Sequence, residues 1–156
     1  MGKLNKLVVF RLDDQRFALY LSDVDRIVRI VEINPLPKAP EYILGTINFQ
    51  REFIPVVNMR KLFLLPERDI DLNDQLIIAK TSMRTVALWV DSVSDVVERT
   101  EEEITRAEKI LLDIDYIKGI FKFEDGMVLI NDLDKFLTLE EITLLKAALK
   151  KQREKE

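Results

Sequence analysis

Short apolar runs separated by polar breaks dominate the chain, and most are rich in β-branched residues. Leu7–Leu12 and Leu76–Lys80 read as buried strands. Asp13-Asp14-Gln15 divides the first run from Phe17–Leu21, which predicts a hairpin, and Ser82-Met83-Arg84 does the same before Val86–Val90. Val24–Ile33 alternates loosely and stops at Asn34-Pro35. Pro35, Pro37 and Pro40 make Asn34–Glu41 an extended loop, because proline cannot donate to a ladder and biases the preceding residue away from helix. Thr46–Phe49 and Phe53–Val57 form a second hairpin across Gln50-Arg51-Glu52. Glu124-Asp125-Gly126 is its counterpart, with Gly126 where a positive φ is often needed.

Helical signals are few. Met59–Leu65 reads as a short helical turn closed by Pro66, and Asp132–Leu137 as its equivalent. Thr138-Leu139-Glu140-Glu141 fits a capping box, and Leu139, Ile142, Leu145 and Leu149 then make one apolar stripe. The long helix is therefore expected at 139–152. Thr100-Glu101-Glu102-Glu103 fits either the start of a helix reaching Leu112 or part of a long connection.

The pattern repeats. Displaced by 69 residues, Val8–Arg29 aligns without gaps on Ile77–Glu98, placing Phe17-Ala18-Leu19-Tyr20-Leu21 on Val86-Ala87-Leu88-Trp89-Val90. Displaced by 74, Ile43–Phe63 aligns on Ile117–Leu137, with Ile43, Gly45, Phe49 and Lys61 meeting Ile117, Gly119, Phe123 and Lys135. The blocks keep their order, as an internal duplication with one insertion would. The repeats span about 7–66 and 75–138 of a single domain, 1–156, with the helix at 139–152. Neither copy holds enough strand for a large core of its own, so the two should pack closely and strands should be open to exchange between them. The expectation is an all-β chain with few helices, built as two similar small barrels. If the copies are equivalent, Gly45→Val and Gly119→Val should cost similar stability.

Composition narrows the chemistry. The 156 residues carry 24 Lys+Arg against 28 Asp+Glu, and no Cys and no His. Disulfides, thiolate zinc sites, thiol nucleophiles, Ser-His-Asp triads and phosphohistidine relays on this chain are excluded. Mild acidity argues against nucleic acid as a partner. The chain has no run of ~18 apolar residues, and its start is too polar for a signal peptide, so the cytoplasm is the expected compartment, without direct membrane insertion. Asp69-Ile70-Asp71-Leu72-Asn73-Asp74 opens like a calcium loop, but glycine is missing at its sixth position and Lys80 stands at its twelfth. Ser22, Ser82, Ser92 and Ser94 have no histidine partner, and the glycines are isolated rather than gathered in a phosphate loop. No cofactor or metal is expected. The reading from the residues is a surface-presenting protein. A small hydrolase or ligand-binding barrel using carboxylates or a Ser-Lys pair stays open, as does a structural domain of a larger kinase.

These residues carry a resemblance. Leu7-Val8-Val9-Phe10, Phe17-Ala18-Leu19 and Val24-Asp25-Arg26-Ile27-Val28 resemble the opening of a CheW-like domain. Pro37-x-x-Pro40-x-x-Ile43-Leu44-Gly45-Thr46-Ile47-Asn48-Phe49, then Phe53-Ile54-Pro55-Val56-Val57-Asn58-Met59-Arg60, is similar to that family's most recognisable stretch. Val86–Val96 resembles its second strand pair, and Ile117-Lys118-Gly119 through Leu133 its closing portion. The resemblance implies two five-stranded SH3-like β-barrels packed together. It also implies a non-enzymatic chemotaxis adaptor, which couples a chemoreceptor's cytoplasmic hairpin tip to the regulatory domain of a CheA-type histidine kinase.

By position in the matched motifs, receptor docking would fall on Val24, Arg26, Ile27, Gly45, Asn48, Phe49, Gln50 and Arg51. Val24 and Ile27 align with Val93 and Val96, which equally suits core positions. The family usually reads Asn-Leu-Arg-Gly where this chain has Asn48-Phe49-Gln50-Arg51, and Glu where it has Arg26. If the family's acid and base form a pair, losing both avoids an orphaned charge. The departures point to a divergent receptor or a parallel chemosensory pathway.

Overall fold

The structure is a computed structural model that describes residues 3–110, 116–135 and 147–151. Among these residues eleven strands form two sheets. In chain order they are β1 (Leu4–Leu12), β2 (Gln15–Tyr20), β3 (Val24–Arg29), β4 (Ile43–Phe49), β5 (Glu52–Asn58), β6 (Gln75–Lys80), β7 (Thr85–Val90), β8 (Ser92–Thr100), β9 (Thr105–Arg106), β10 (Ile117–Phe123) and β11 (Gly126–Asn131). A short helix α1 (Met59–Leu62) follows β5, capped by Asn58, whose side chain accepts from the Lys61 amide. The first sheet runs β8-β1-β2-β11-β10-β9 and the second β3-β6-β7-β5-β4. The chain is mostly strand, with few helices, as its patterning predicts.

Each sheet draws strands from both halves of the chain. Strands β1 and β2 pair with β8 and β11, while β6 and β7 pair with β3 and β5. The pairings coincide residue by residue under the two displacements found in the sequence. Val8 faces Val96 where Ile77 faces Ile27. Ile130 faces Ala18 where Val56 faces Ala87, both in parallel ladders. The register breaks fall at matching places too, beside Gly45 in β4 and Gly119 in β10. Even the two-residue β9 has its counterpart: Thr105 faces Ile120, and an isolated bridge joins Asn34 to Thr46.

The core is layered in the same way. Leu7, Val9, Ala18, Phe121, Val128 and Ile130 fill one barrel. Their displaced counterparts Leu76, Ile78, Ala87, Ile47, Ile54 and Val56 fill the other, joined by Trp89. A third cluster takes residues from both sheets, including Phe10, Leu12, Phe17, Val57, Ile77 and Leu88, and fuses the barrels. Strands β1 and β6 are thus buried on both faces, which explains their unbroken apolar runs. A buried leucine or phenylalanine adds about 1.5–3 kcal/mol, so this shared layer is a main reason for the halves to stay together.

Several expectations are corrected. The cap at Thr100 forms, with Glu103 accepting from the Thr100 amide at 2.8 Å, but the helix does not run to Leu112. The 3-10 turn Glu101–Glu103 follows instead, because Ile104 turns into the first barrel and Thr105 and Arg106 pair with β10, and a second 3-10 turn, Ala107–Ile110, comes after them. Glycine at 126 is not needed for a positive φ; the left-handed residue of that turn is Glu124, at 52°. The turn expected at Asp132–Leu137 is a 3-10 turn at Leu133–Lys135. Residues 147–151 are helical, with Ala148 and Leu149 packed in the shared core. The rest of the helix expected at 139–152, its capping box included, lies outside the described residues.

Candidate interaction face

Strands β3 and β4 are the opposite edges of the second sheet. Arg26 of β3 reaches across to β4, its guanidinium carbon 5.2 Å from the centre of the Phe49 ring. This contact, worth roughly 0.5–1 kcal/mol at an exposed site, helps close the barrel. A bulge at Asp25, between the Val24–Ala79 and Arg26–Ile78 pairs, shifts β3 in register before Arg26. The hairpin from β4 to β5 turns tightly, since Phe49 pairs directly with Glu52. Both turn residues are left-handed, Gln50 at φ 50° and Arg51 at φ 68°, the pattern of a type I′ turn.

That geometry normally selects glycine, and here it is met by two residues with side chains. Arg51→Gly should therefore raise stability by about 0.5–1 kcal/mol, the relief of left-handed strain less the added freedom of glycine in the unfolded chain. Thermal unfolding would show this as a rise of roughly 2–3 °C.

Of the eight residues that the sequence singles out, six make this surface. Arg26, Ile27, Asn48, Gln50 and Arg51 are exposed, and Phe49 is half-buried beneath Arg26. Val24 instead packs against the shared core. Gly45 is buried, and a Cβ placed there would meet the Asn34 carbonyl oxygen and, at 2.8 Å, Ile33 Cγ2. Ile27, with its displaced counterpart Val96, stands outside the core: they are 37% and 56% exposed.

A second feature was not legible in the sequence. Arg60 of α1 is 1% exposed, yet it is charged. Its Nη2 donates to both carboxylate oxygens of Asp91 at 2.6 and 2.7 Å, and its Nη1 donates to the Pro66 carbonyl at 3.1 Å and lies 2.8 Å from Asp13 Oδ1. Asp13 belongs to the β1–β2 turn of the first sheet, while Asp91 joins β7 of the second sheet to β8 of the first. Arg60 thus bolts one sheet to the other. Arg68 extends the network, donating to Asp91 at 2.7 Å and to both oxygens of Asp74 at 2.8 and 2.9 Å. Trp89 Nε1 donates to Asp74 Oδ2 at 2.8 Å. The carboxylate at the sixth position of the calcium-loop-like stretch is therefore committed to these donors. The sequence signal was only a pair of charges, Arg60 and Asp91, each abutting a buried apolar run.

Burial alone would push the Asp74 carboxyl up, but the Arg68 guanidinium, the Asp71 amide and the Trp89 indole hold it below the usual carboxylate range. The folded state thus binds this proton less readily than the unfolded chain, whose aspartates titrate near about 3.9. Its contribution is complete above that pH and is lost as pH falls toward the folded value. Asp74→Asn should lower stability at neutral pH and flatten the loss on acidification below about pH 4, read by denaturant melts across pH.

A cleft of about 350 Å³ lies on the first barrel, lined by Tyr20, Glu101, Ile104, Arg106, Lys118 and Asp132 among others. Lys118 Nζ stands 4.6 Å from the centre of the Tyr20 ring. Burial, reinforced by Glu101 and opposed by Arg106, pushes the Tyr20 hydroxyl up. The barrel interiors are occupied by the side chains described above.

The chain matches the family model for the CheW-like domain over residues 6–141. It is 31% identical over 137 residues to a chemotaxis protein CheW of Bacillus subtilis, covering 86% of this chain and 88% of that one. A CheW of Rhizobium meliloti is 28% identical over 138 residues, covering 87% and 89%. Among solved structures, the scaffolding protein TtCheW of Thermoanaerobacter tengcongensis superposes with a TM-score of 0.80 at 30% identity, over 90% of this chain and 96% of that one. By the match of its motifs, its strand order and these relatives, the chain belongs to the CheW-like domain family.

Proposed function

We propose that this protein is a CheW-type adaptor that acts without chemistry of its own, linking the cytoplasmic hairpin tip of a chemoreceptor to the regulatory domain of a CheA-type histidine kinase. The observation that carries this reading is the match, over nearly the whole of both chains, to a protein described as a scaffold. The filled barrels favour contact surfaces over a reactive interior. We place the protein in the cytoplasm, reaching the receptor array through its partners; no helix among the described residues is long and apolar enough to cross a membrane.

Receptor docking falls on the face made by Arg26, Ile27, Asn48, Phe49, Gln50 and Arg51. The Arg26–Phe49 stack supports a divergent partner, because it builds a cation into the rim where the family resemblance implies an acid. Isothermal titration against a CheA-type regulatory domain and a receptor tip tests both contacts. Binding of each at ~100 µM or tighter is expected. Receptor binding should weaken in Arg26→Glu while kinase binding stays unchanged. Loss of neither, or of both together, would place the receptor elsewhere.

A further inference from the structure

The two barrels treat one equivalent place differently. In the second barrel, Arg68 lies over the Trp89 ring, its guanidinium carbon 5.6 Å from the centre, and donates to both oxygens of Asp74. Asn58 Nδ2 donates to Glu67 Oε1 alongside, at 3.3 Å. An aromatic face and a carboxylate thus hold a guanidinium that the link between β5 and β6 supplies. In the first barrel the displaced counterparts of Trp89, Asp74 and Asn58 are Tyr20, Asn5 and Asp132. There the matching place is the cleft of about 350 Å³, walled by Tyr20 and Asp132. Asn5 lacks the charge of Asp74, but it donates at 3.0 Å to Glu101, which lines the cleft and restores a carboxylate.

The walls are acidic on balance, since Glu101, Glu108 and Asp132 stand against Arg106 and Lys118. Arg106 is held only loosely, 3.9 Å from Glu101 with both side chains largely in water. Lys118 is the cation now over the Tyr20 ring, and it forms no ion pair among the described residues. An ammonium is a compact, strongly hydrated charge. A guanidinium is planar and more weakly hydrated, stacks on aromatic faces and grips carboxylates through two parallel hydrogen bonds, so it can displace Lys118 from the ring. The cleft also reaches the lower end of the volumes that small-ligand sites occupy, about 300–1,000 Å³. We propose that this cleft binds a guanidinium group, carried by free arginine or by an arginine residue of a peptide, stacked on Tyr20 and paired with Glu101 and Asp132. The site lies on the first barrel, whereas the Arg26 face lies on the second sheet, so it does not depend on the receptor or kinase reading.

The test is a nuclear magnetic resonance titration of the isotope-labelled full chain at constant ionic strength. The probes are L-arginine, Nα-acetyl-L-arginine amide and L-lysine. Arginine should saturate with a Kd of about 5 mM or tighter, and its shifts should gather on the amides of Ile104, Arg106, Lys118 and Asp132. Lysine should bind at least about fivefold more weakly. E101Q/D132N, shown to be folded by its own spectrum, should weaken arginine about tenfold or more. Lys118→Ala should tighten it about twofold or more, because the competing cation over the ring is gone. If the blocked arginine binds as well as the free one, the side chain alone is read and the source is a peptide. If only free arginine binds, its carboxylate is read too, and the source is the amino acid; either result supports the site. No saturation by either form of arginine, lysine binding as tightly as arginine, or a double variant that binds unchanged would overturn the proposal.

Discussion

Arg60→Ala should lower stability by about 3–5 kcal/mol, the usual cost of removing one member of a buried ion pair. The guanidinium is covered, and its loss unpairs the partly buried Asp91 at the seam between the sheets, while Asp13, whose side chain is 43% exposed, is left to water. Desolvation makes the asymmetry severe: the carboxylate of Asp91 keeps Arg68, at 2.7 Å, but loses its bidentate partner. Lys61→Ala next door, whose side chain is 36% exposed and 3.4 Å from Glu41, should shift stability by no more than about 0.5 kcal/mol. Removing both members, as Arg60→Met with Asp91→Leu, should cost less than Arg60→Ala alone, because no charge is left buried without its partner. Urea melts of the three variants check the ordering.

Gly45→Ala is expected to be the second costly change, at about 2–3 kcal/mol, against less than about 1 kcal/mol for Gly119→Ala. The duplication in the sequence implies equal costs, and the surroundings correct this. At Gly45 the added carbon meets a backbone oxygen of Asn34, which cannot retreat because Asn34 exchanges two 2.8 Å hydrogen bonds with Thr46. At Gly119 the nearest atom is a methyl of Ile104 at 3.1 Å, which can swing away, and the Thr105 carbonyl stands off at 3.4 Å. The valine variants should differ in the same direction. Thermal melts of the two alanine variants measure the difference, and equal losses would contradict it.

These two cases show what a sequence carries and what it leaves out. The strands were legible because their apolar runs are long and β-branched, and the repeat was legible because matched positions fill matched interiors. Leu7 and Leu76, or Val9 and Ile78, are the same place in two barrels. The exchange of β1–β2 and β6–β7 between the halves follows from the need for a shared core, but no local signal states it. The segment after Thr100 left a helix and a connection both open, because a good cap promises a helix, and the connection forms since Ile104 is better buried in a barrel than carried along a helix face. For the interaction face, motif position located the surface but not its content. It placed Val24 and Gly45 beside Arg26, although the fold turns both inward. The Arg60 network escaped altogether, because Asp91 is 31 residues away and only the crossing of the two sheets brings them together. Where contacts are local or periodic, the residues announce them; where charge meets charge across a seam, the fold must be known first.

The most direct measurement is kinase activity in an assembly reconstituted from membranes carrying the cognate receptor, a CheA-type kinase and this protein. Adding the protein should raise phosphorylation well above the level of receptor plus kinase, and attractant should suppress it, whereas Arg26→Glu should abolish the attractant response without changing kinase binding. Full receptor control of the kinase in the protein's absence, or no effect of adding it although both partners bind, would contradict an adaptor role.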